Sequence, residues 1–572
     1  MKILAIHSDY IKFTPTKKAL KSAEMVKKEE SEMKDCLVVF TSVEKSDEGN
    51  VKGIIKKLVS EVKKQAEQVK ADKVVLYPYA HLSDDLSKPS VAAEVLEAAE
   101  KKLKKDYKVL RAPFGWYKKF EISCKGHPLA EASRSFTIEE KGEVVEKEIT
   151  SKEREKMLND ISKMKLDRRK LKDNDHRIIG QQLDLFSFNK VAPGMVFWHD
   201  KGLIIFNELV KYWREERRKA GYSEISTPQI MDKRLWQISG HWDKYSENNF
   251  VTDYEGRPFL VKPMSCPGGM LVYKNKPRSY RELPMRVAEL GTVHRVELSG
   301  TLSGLFRVIQ FTQDDAHIFC NESQMEDEIE KVMNLVFKFY KQFGLGFDHI
   351  ELSTRPEKRI GSDKVWDKAE QVLENVLKKN KIKYQVNEGD GAFYGPKIDF
   401  HVKDSLNRTW QTSTIQLDFA TPERFDLEYI GKDDKAHQPV MLHNVIYGAV
   451  ERFIGILLEH TNGNLPTWLS PIQARVISFS EGNEKSVKVF VKELKDNGIR
   501  ADSDISSNTV SYKIREAELQ KIPYIIVIGD KEEKNNTIAV REKGDKKPTY
   551  GVNRKKFIKS LLNEIKERKL GL

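Results

Sequence analysis

Cysteine and long apolar segments are scarce in this chain. Its four cysteines form no CxxC pair and are too scattered for a disulfide framework: Cys36, Cys124, Cys266 and Cys320. No window approaches the roughly 18 to 20 apolar residues that span a bilayer. The first residues, MKILAIHSDY, also lack the apolar core and cleavage site of a signal peptide. We therefore expect a protein of the reducing cytoplasm with no membrane association.

Positive charge is what the chain has in excess. It carries 99 Lys and Arg against 86 Asp and Glu, a formal net charge of +13. Residues 470–572 hold 22 basic and 15 acidic side chains, so about half of the excess lies there. A basic terminal region fits a polyanionic partner such as nucleic acid. A solvated lysine-rich surface would have the same composition, and both interpretations stay open at this point.

The apolar patterns divide the chain into four parts. Residues 1–140 alternate apolar runs with amphipathic stretches, which predicts a compact α/β domain. Residues 141–180 are highly charged and poor in aromatics, which predicts a helical linker. Residues 181–468 form a large mixed region with many aromatics and short strands bounded by Gly and Pro. Residues 469–572 alternate strands with helices, which predicts a small α/β domain with a substantially parallel sheet.

Residues 294–315, HRVELSGTLSGLFRVIQFTQDD, carry a pattern suited to a nucleotide. Strand alternation would place Arg295 and Glu297 side by side on one face. Arg307, Phe311 and Asp315 then follow at intervals of four. An arginine fork can hold a phosphate, a carboxylate can accept from an exocyclic amine, and a ring can stack on a purine, so the set could hold ATP. A surface salt-bridge ladder is the alternative explanation for the first pair.

The same stretch resembles a motif of a known enzyme family. Arg-x-Glu, a loop and Arg-x-x-x-Phe-x-x-x-Asp resemble motif 2 of class II aminoacyl-tRNA synthetases. GYSEISTPQIMDKRLW upstream resembles motif 1, and MLHNVIYGAVERFIG downstream resembles motif 3, in the correct order. The resemblance implies a catalytic core built on an antiparallel sheet, with Arg452 binding ATP and Pro228 in a homodimer interface. The glycine ladder of motif 3 is degenerate, since only Gly448 stands near it.

Five further sequence strings restrict the resemblance to one family among the class II enzymes. KPMSCPGG, GHWDKY, QFTQDDAHIF, STRPEKRIGSD and GAFYGPKIDF are similar to threonyl-tRNA synthetases, and the similarity extends over residues 190–572. It implies that Cys266, between Ser265 and a Pro-Gly-Gly turn, binds one Zn²⁺ per subunit together with His317 and His443. Spacing alone indicates no metal site, and isolated histidines are often structural. One thiolate and two imidazoles are nevertheless a suitable set of zinc ligands with a fourth position open to substrate.

The resemblance implies ligation of L-threonine to tRNA(Thr), with ATP and Mg²⁺. Zinc would take the amino and hydroxyl groups of threonine, Asp315 would accept from the hydroxyl, and Gln313 and Tyr394 would place the amine. The residues implied for ATP and the reacting groups are Arg295, Glu297, Arg307, Phe311, Arg452, Lys397 and Gln411. A metal that needs an oxygen ligand rejects valine, but a missing methyl separates serine by only ~1 to 3 kcal/mol, so an editing site is needed.

The first 140 residues resemble the archaeal type of N-terminal editing domain, which is similar to D-aminoacyl-tRNA deacylases. The strings that carry this resemblance are MKILAIHSDY, YPYAHLS and GWYKKFEISCKGHPLAEASR. It implies a pocket that hydrolyses seryl-tRNA and is lined by His81, Tyr117, Lys118 and Glu131. From the residues alone, Lys118 could position a water and an ester carbonyl. Each histidine taken alone is more often structural than functional, and His7 in the first strand could simply be packed.

The basic C-terminal region resembles the anticodon-binding module of several class II synthetases. Glu532 and Arg541 match positions that touch anticodon bases in the family, although exposed charged loops often only face solvent. Two alternatives stay open at this point: another class II enzyme, such as a prolyl or seryl ligase, and a synthetase-like RNA-binding regulator. The Cys266, His317 and His443 set argues against the first, and the intact motif arginines argue against the second.

Overall fold

The structure is a computed structural model of the 572-residue chain. It describes residues 1–20, 23–127, 130–136, 151–162, 169, 171–244, 249–404 and 407–570. The chain divides into two compact units, Met1–Thr150 and Ser151–Leu572. Among the helices in the described ranges, none is long and apolar enough to cross a membrane.

The first unit is an α/β structure with one mixed sheet. Its elements are β1 (Lys2–Lys18), β2 (Ser31–Ser42), α1 (Val51–Val69), β3 (Lys73–Pro78), α2 (Pro89–Leu103), β4 (Lys108–Arg111), β5 (Trp116–Cys124) and β6 (Glu131–Ser135). The sheet order is β4-β3-β2-β1-β5, with β6 also beside β1. β2, β3 and β4 pair in parallel, whereas β1 pairs antiparallel with β2, β5 and β6.

The two helices of this unit pack on the sheet through apolar faces. Leu58 of α1 and Val95 of α2 are fully buried in one cluster with Val39 and Val74 of the central strands. Those strands are buried on both faces, so CLVVF reads as a continuous apolar run rather than an alternating one. The predicted α/β domain is confirmed, with helices close to the stretches that the amphipathic pattern indicated.

The second unit contains the large mixed region. Its helices are α3 (Ser151–Ser162), α4 (His176–Gln182), α5 (Asp200–Lys219), α6 (Lys233–Ser239), α7 (His241–Lys244), α8 (Cys266–Lys274), α9 (Met325–Gln342), α10 (Asp363–Lys379), α11 (Ala420–Arg424) and α12 (Val450–His460). Its strands before residue 470 are β7 (Phe186–Asn189), β8 (Ala192–Trp198), β9 (Ser223–Glu224), β10 (Ile230–Asp232), β11 (Val251–Tyr254), β12 (Arg257–Val261), β13 (Met285–His294), β14 (Gln310–Cys320), β15 (His349–Ser353), β16 (Gln385–Asn387), β17 (Lys397–Lys403), β18 (Thr409–Asp418), β19 (Tyr429–Ile430), β20 (Ala436–His437) and β21 (Val440–Val445).

An eight-stranded sheet organises this region across the described residues. Its order is β16-β15-β17-β18-β21-β14-β13-β9, and only the outermost pairs, β9 with β13 and β15 with β16, are parallel. Helices α5, α9, α10 and α12 cover one face and form the main core with it, for example through Val336, Leu373 and Phe453. The opposite face carries polar side chains such as Asp315 and His317 of β14, and its apolar residues Val287, Phe319 and Met441 belong to a second buried cluster. The predicted antiparallel-sheet core is confirmed.

The charged segment predicted as a helical linker, 141–180, lies partly outside the described residues, which omit 137–150, 163–168 and 170. Within it, α3 is helical, as expected from its start signals. The second helix, α4, is capped by Asp175, whose carboxylate accepts from the Arg177 amide at 2.9 Å. His176 and Ile179 of α4 are buried, and Ile179 belongs to the main core. The exact domain boundaries stay a prediction.

The C-terminal region is an α/β domain in which the predicted sheet is only partly parallel. Its elements are β22 (Ala474–Ser478), α13 (Glu484–Asp496), β23 (Ala501–Asp504), α14 (Val510–Leu519), β24 (Tyr524–Ile528), α15 (Asp530–Asn535), β25 (Thr537–Glu542), β26 (Thr549–Asn553) and α16 (Arg554–Glu567). β22 pairs in parallel with β23 and β24, but β24–β25 and β25–β26 are antiparallel. The sequence prediction missed α15 and this hairpin, because its strands are short, its second strand is mostly exposed, and a charged Gly/Pro-containing loop joins them.

Candidate active site

One strand, β14, carries a row of polar and aromatic side chains along the open face of the large sheet. Phe311, Gln313, Asp315 and His317 alternate with residues such as Ala316 and Ile318, which lie in the core on the helix-covered face. Four alternate positions of a strand span about 20 Å at roughly 3.3 Å per residue. A single strand therefore connects the predicted ATP residues at one end with the predicted metal ligands at the other.

The ATP end is a cleft bordered by three arginines. Arg295, Arg307 and Arg452 line it together with Glu297, Phe311 and Gln411. The Arg295 guanidinium lies 5.2 Å from the centre of the Phe311 ring, and Arg307 Nε donates to Glu297 Oε2 at 3.0 Å. The structure thus brings the motif 2 and motif 3 residues into one place.

Two of these arginines have carbonyl rather than carboxylate partners. Arg452 donates to the backbone oxygens of Phe306 and Gln411 at 2.9 and 3.0 Å, and Arg295 donates to Pro263 O at 3.0 Å. Within the described part of the chain, neither makes an ion pair. Burial, followed by the charges of Arg307 and Arg295, lowers the pKa of Arg452 to about 10. Such crowded positive charge favours a polyanionic ligand.

One geometric expectation about this cleft is wrong. Arg295 and Glu297 were expected to alternate on a strand, but β13 ends at His294 and both residues lie in the following loop. The backbone leaves the ladder here, although Arg295 N still donates to Ile309 O at 2.9 Å. The loop lets the Glu297 carboxylate face Arg307 rather than lie beside Arg295. The Arg-x-Glu pair is therefore positioned by a loop.

At the other end of β14, the three residues implied as zinc ligands lie together. One ligand atom from each of Cys266, His317 and His443 falls within 4.8 Å of the others. His317 and His443 are opposite each other on β14 and β21, with ring centres 5.0 Å apart. Cys266 and His317 are buried, and His443 is largely so. Side chains separated by 51 and 126 positions in the sequence thus converge on one point.

The donor set fits a metal ion. The Nε2 atom of His317 is buried and, within the described residues, has no hydrogen-bond partner. His443 Nε2 lies 2.9 Å from Asp418 Oδ2, an arrangement that commonly orients a metal-binding histidine through its other nitrogen. Burial raises the pKa of the Cys266 thiol well above its usual range and lowers that of His317 well below. A bound cation would compensate for the burial of a thiolate at this place.

The helix that begins at Cys266 corrects a second expectation. CPGG was interpreted as a turn, but Cys266 is the first residue of α8, and Pro267 occupies the early position where proline's missing N–H costs nothing. The segment lies close to the sheet at Gly291, where an added Cβ would fall 2.1 Å from Ser265 Oγ. Glycine at 291 therefore allows this approach, which presents Cys266 to the histidines.

Asp315, Gln313 and Tyr394 adjoin the metal cluster. Burial raises the pKa of Asp315 to about 6, while the nearby charges of His443 and Arg295 oppose this rise. The Tyr394 ring lies 5.4 Å from that of His443. Gln313 Oε1 is buried and finds no donor among the described residues. The space beside the cluster is thus bordered by acceptors, as the amino and hydroxyl groups of an amino acid require.

Lys397 and Gln411 are connected through a shared carboxylate, Asp399. Lys397 Nζ donates to Asp399 Oδ2 at 2.6 Å, and Gln411 Nε2 donates to Asp399 Oδ1 at 2.6 Å. Gln411 also borders the arginine cleft. These two predicted catalytic side chains are therefore held together on neighbouring strands, and their roles stay predictions.

Sequence reasoning missed several residues of this site. Asp418, which contacts His443, and Gln416, opposite His443 in the strand register, gave no recognisable local signal. His241, within the quoted string GHWDKY, packs its ring 6.2 Å from Tyr394 and was assigned no role. Phe306 and Trp410 form an aromatic wall with ring centres 4.8 Å apart beside Arg452. These neighbours are brought together only by the tertiary fold, because they are far apart in the sequence.

In the first unit, the predicted editing residues are only partly together. Lys118 Nζ lies 5.0 Å from the centre of the Tyr77 ring, and the His81 ring lies 5.4 Å from that of Tyr79, which neighbours Tyr77. Tyr117, although adjacent in sequence, is 62% exposed. Glu131 lies on β6, where it accepts from the thiol of Cys124 at 3.6 Å, and among the described residues it makes no hydrogen bond or ion pair with the other predicted editing residues.

The environment of Lys118 is unusual for a lysine. Its ammonium donates to the backbone oxygens of Pro113 and Trp116 at 3.1 and 3.0 Å. Burial lowers its pKa to about 8. A lysine with such a pKa is suited to proton transfer or to polarising a carbonyl near neutral pH.

The two predicted anticodon residues are engaged with their own domain. Glu532 Oε2 accepts from the Gly529 amide at 3.2 Å at the start of α15. Arg541 donates to Asp545 O at 3.0 Å and pairs with Glu518 at 3.0 Å. Their contacts do not exclude RNA binding, and their assignment stays a prediction.

Comparison with known proteins bears on this arrangement. Residues 1–136 match the archaea-specific editing domain of threonyl-tRNA synthetase, residues 250–461 match the class II tRNA synthetase core domain (G, H, P, S and T), and residues 473–564 match an anticodon-binding domain. A crystal structure described as the RNA binding domain of threonyl-tRNA synthetase from Cryptosporidium parvum Iowa II is 41% identical, with a TM-score of 0.66. The match covers 68% of this chain and 98% of that one. This chain belongs to the threonyl-tRNA synthetase family.

This chain is also similar to other members of the threonyl-tRNA synthetase family. The threonine–tRNA ligase of Natranaerobius thermophilus is 54% identical over 69% of this chain and 61% of its own length. That of Acetivibrio thermocellus is 55% identical over 65% of this chain and 59% of its own length. The chain thus spans about three fifths of these curated relatives. A putative threonyl-tRNA synthetase from Aeropyrum pernix is 29% identical with a TM-score of 0.61, over 70% of this chain and 97% of that one.

Proposed function

We propose that this member of the threonyl-tRNA synthetase family is an ATP-dependent threonine–tRNA ligase. The observation that carries the proposal is the row of side chains on β14, which joins an arginine-lined cleft to a buried thiol and two imidazoles. The first place suits a nucleoside triphosphate, and the second suits a small molecule with amino and hydroxyl groups. Among the class II enzymes that share this core domain (G, H, P, S and T), only those for serine and threonine act on an amino acid with both groups, and the family matches favour threonine.

Zinc is the resident metal that the cluster fits best. One thiolate and two imidazoles are preferred zinc ligands and leave a fourth position for substrate. Cys266, His317 and His443 would hold the ion, with Asp418 orienting His443. When bound, zinc supplies a Lewis acid for the amino and hydroxyl groups of threonine. We propose one Zn²⁺ per subunit.

The residues around the cluster would orient threonine. The Asp315 carboxylate would accept from the threonine hydroxyl, and Gln313 Oε1, which lacks a donor among the described residues, would accept from the amine. Tyr394 would close this side of the pocket through its contact with His443. Valine has the amine but no hydroxyl, so it would leave the buried Asp315 carboxylate unpaired, and a site built for a hydroxyl rejects such analogues strongly.

The cleft residues would position ATP for attack by the threonine carboxylate. The purine would stack on Phe311, Glu297 would accept from its exocyclic amine, and Arg307 and Arg452 would bind the outer phosphates with Mg²⁺. Arg295 would bind the α-phosphate, where negative charge develops as pyrophosphate leaves. Lys397 and Gln411, both of which donate to Asp399, would bind reacting oxygens.

Editing of seryl-tRNA(Thr) is the proposed activity of the first unit. Serine retains the hydroxyl, so the synthetic site would discriminate against it by only ~1 to 3 kcal/mol. His81 and Lys118, placed around the aromatic rings of Tyr77 and Tyr79, would bind the ester carbonyl and the attacking water. Tyr117 and Glu131 remain proposed members of the pocket on family resemblance alone.

The proposed partners follow from the same resemblance. The basic C-terminal domain would bind tRNA(Thr), with Glu532 and Arg541 near the anticodon. The segment around Pro228 would form a homodimer interface, as motif 1 does in class II enzymes. All four cysteines are free, which suits a cytoplasmic location.

Substitution of the cluster cysteine tests the proposal. Cys266→Ser should lower the bound zinc and abolish threonine-dependent ATP–pyrophosphate exchange. Cys320→Ser, a buried cysteine of β14 outside the cluster, is the matched control and should retain both. Full exchange by a zinc-free Cys266→Ser protein would refute a zinc-dependent threonine site.

A further inference from the structure

A second histidine cluster lies on β15 and β17, near the end of the large sheet that is formed by β16. One ligand atom from each of His349, Glu351 and His401 falls within 4.8 Å of the others. His349 Nε2 is 3.1 Å from Glu351 Oε1, and His401 Nε2 is 3.3 Å from Glu351 Oε2. The carboxylate therefore stands between two imidazole nitrogens.

Strand register fixes this arrangement. His349 and His401 are directly opposite each other in the antiparallel pair β15–β17, and Glu351 lies two positions from His349 on the same face. The intervening residues Ile350 and Phe400 point into the main core. All three polar side chains thus project from rigid strands rather than from a loop, as a precise site requires.

The hydrogen bonds prepare both imidazoles to act as ligands. Asp348 Oδ2 lies 2.8 Å from His349 Nδ1, and a proton held there leaves the lone pair of Nε2 facing Glu351. His401 Nε2 is buried and makes no hydrogen bond with the described residues, despite its short distance to the carboxylate. A lone pair that faces a carboxylate is repelled unless a proton or a cation lies between them.

The geometry of the two rings makes protonation of both imidazoles unfavourable. They are stacked with centres 4.4 Å apart and planes inclined by 9°. Two imidazolium ions at this separation would repel each other in a half-buried place. One divalent cation between the nitrogens and the carboxylate would satisfy all three groups at once.

We propose that His349, Glu351 and His401 form a second metal site, for a divalent transition-metal ion of the zinc type. Two imidazoles and one carboxylate are ligands that such ions prefer. Asp348 would act as the carboxylate partner of a metal-binding histidine, and Asn387 Nδ2, 3.1 Å from Glu351 Oε2, would orient the carboxylate. The ligands are 15–22% exposed, so an ion can reach them.

This site is distinct from the Cys266 cluster in position and in chemistry. It contains no thiolate, and it lies on β15 and β17 rather than on β14 and β21. Glu351 is opposite Asp399, the residue that binds Lys397 and Gln411. A bound ion would therefore hold β15 against β17, the strand that carries the predicted catalytic lysine.

Cobalt titration of the metal-free full-length chain tests this proposal. Co²⁺ bound by a thiolate gives a near-ultraviolet charge-transfer band, whereas an ion with only nitrogen and oxygen ligands gives visible d–d bands alone. We expect two Co²⁺ per wild-type chain, one of them without the thiolate band. A thiolate-free equivalent would be found even if the Cys266 cluster bound no metal, so the two proposals fail independently.

Substitutions test whether these three residues bind the second Co²⁺ ion. His401→Gln and Glu351→Gln should each lose one Co²⁺ per chain and retain the thiolate band, which also reports an intact core. His437→Gln is the matched control, because His437 pairs with Asp433 at 2.8 Å on an exposed hairpin. The same Co²⁺ content in His401→Gln and wild type would overturn the proposal.

A measurement without substitutions covers the case in which these variants do not fold. Anomalous diffraction at the cobalt edge from wild-type crystals soaked in Co²⁺ should show a peak within bonding distance of His349, Glu351 and His401. No peak there would overturn the proposal.

Discussion

Lys118→Met should make the first unit more stable while removing its proposed hydrolytic activity. The folded-state pKa of Lys118 is about 8, against 10.5 for an exposed lysine, because burial disfavours the charged form. At 1.36 kcal/mol per pKa unit, this difference corresponds to a cost of about 3 kcal/mol for the buried charge at pH 7. The buried charge therefore lowers the stability of the folded unit, a cost that is typical of groups retained for function.

The expected net effect is smaller than that cost. Methionine cannot donate to the backbone oxygens of Pro113 and Trp116, and two lost hydrogen bonds offset roughly 1 to 3 kcal/mol. We therefore expect a net gain of about 1 kcal/mol at pH 7, or an increase of about 0.5 M in the urea midpoint. Lys119→Met, at the exposed neighbouring position, is the control and should change the midpoint little.

The pH dependence follows from the direction of the pKa shift. Below pH 8 the amine is charged in both folded and unfolded chains, so wild type bears the full cost. Between pH 8 and 10.5 only the unfolded chain holds the proton, and the free energy of unfolding of wild type rises with pH. The advantage of Lys118→Met should therefore shrink by about 2 kcal/mol from pH 7 to pH 9.5 and reverse in sign.

Pulse proteolysis of the full chain in urea measures the unfolding midpoint of the first unit. Fragments of residues 1–150 are followed by mass spectrometry at pH 7 and at pH 9.5. In parallel, Lys118→Met should fail to hydrolyse seryl-tRNA(Thr) but should activate threonine as wild type does. The reasoning is refuted if Lys118→Met is less stable than Lys119→Met at pH 7, or if their difference does not change with pH.

Three further predictions concern the cleft and the C-terminal domain. Arg295→Lys keeps the charge but loses the guanidinium fork, so kcat of threonine-dependent pyrophosphate exchange should fall about 10²-fold. Arg281→Lys, at an exposed arginine, is the control and should leave this kcat unchanged. Phe311→Leu removes the proposed purine stack, so KM for ATP should rise about 10-fold with zinc content unchanged; an unchanged KM contradicts this role. Arg541→Gln should raise KM for tRNA in aminoacylation and leave exchange intact, and equal losses in both assays would indicate misfolding instead.

Local patterns in the sequence predicted much of the fold. The helix periodicity of α1 and α2 and the apolar runs of β2 and β3 were visible directly. The row on β14 was not predicted as a row, because the pattern noted there was the spacing by four of Arg307, Phe311 and Asp315. The end of β13 before Arg295 was not predictable, because alternation of residue types continues past the last ladder hydrogen bond. Gly and Pro similarly concealed the helical start of α8.

The site depended on long-range register, which residue patterns do not contain. His317 and His443 meet only because β14 and β21 pair, and His349 meets His401 only because β15 pairs with β17. The three metal-ligand candidates of the main cluster were identified by family resemblance, since gaps of 51 and 126 residues match no local ligand motif. Asp418 had neither a motif nor a resemblance to indicate it.

Amino-acid-dependent ATP–pyrophosphate exchange tests whether the Cys266, His317 and His443 cluster forms a zinc-dependent threonine site. It should be run with threonine, serine and valine, with zinc present and after chelation. We expect exchange with threonine, weaker exchange with serine, none with valine, and loss of exchange on chelation that zinc restores. Zinc-independent exchange, or a preference for another amino acid, would contradict the proposed threonine site.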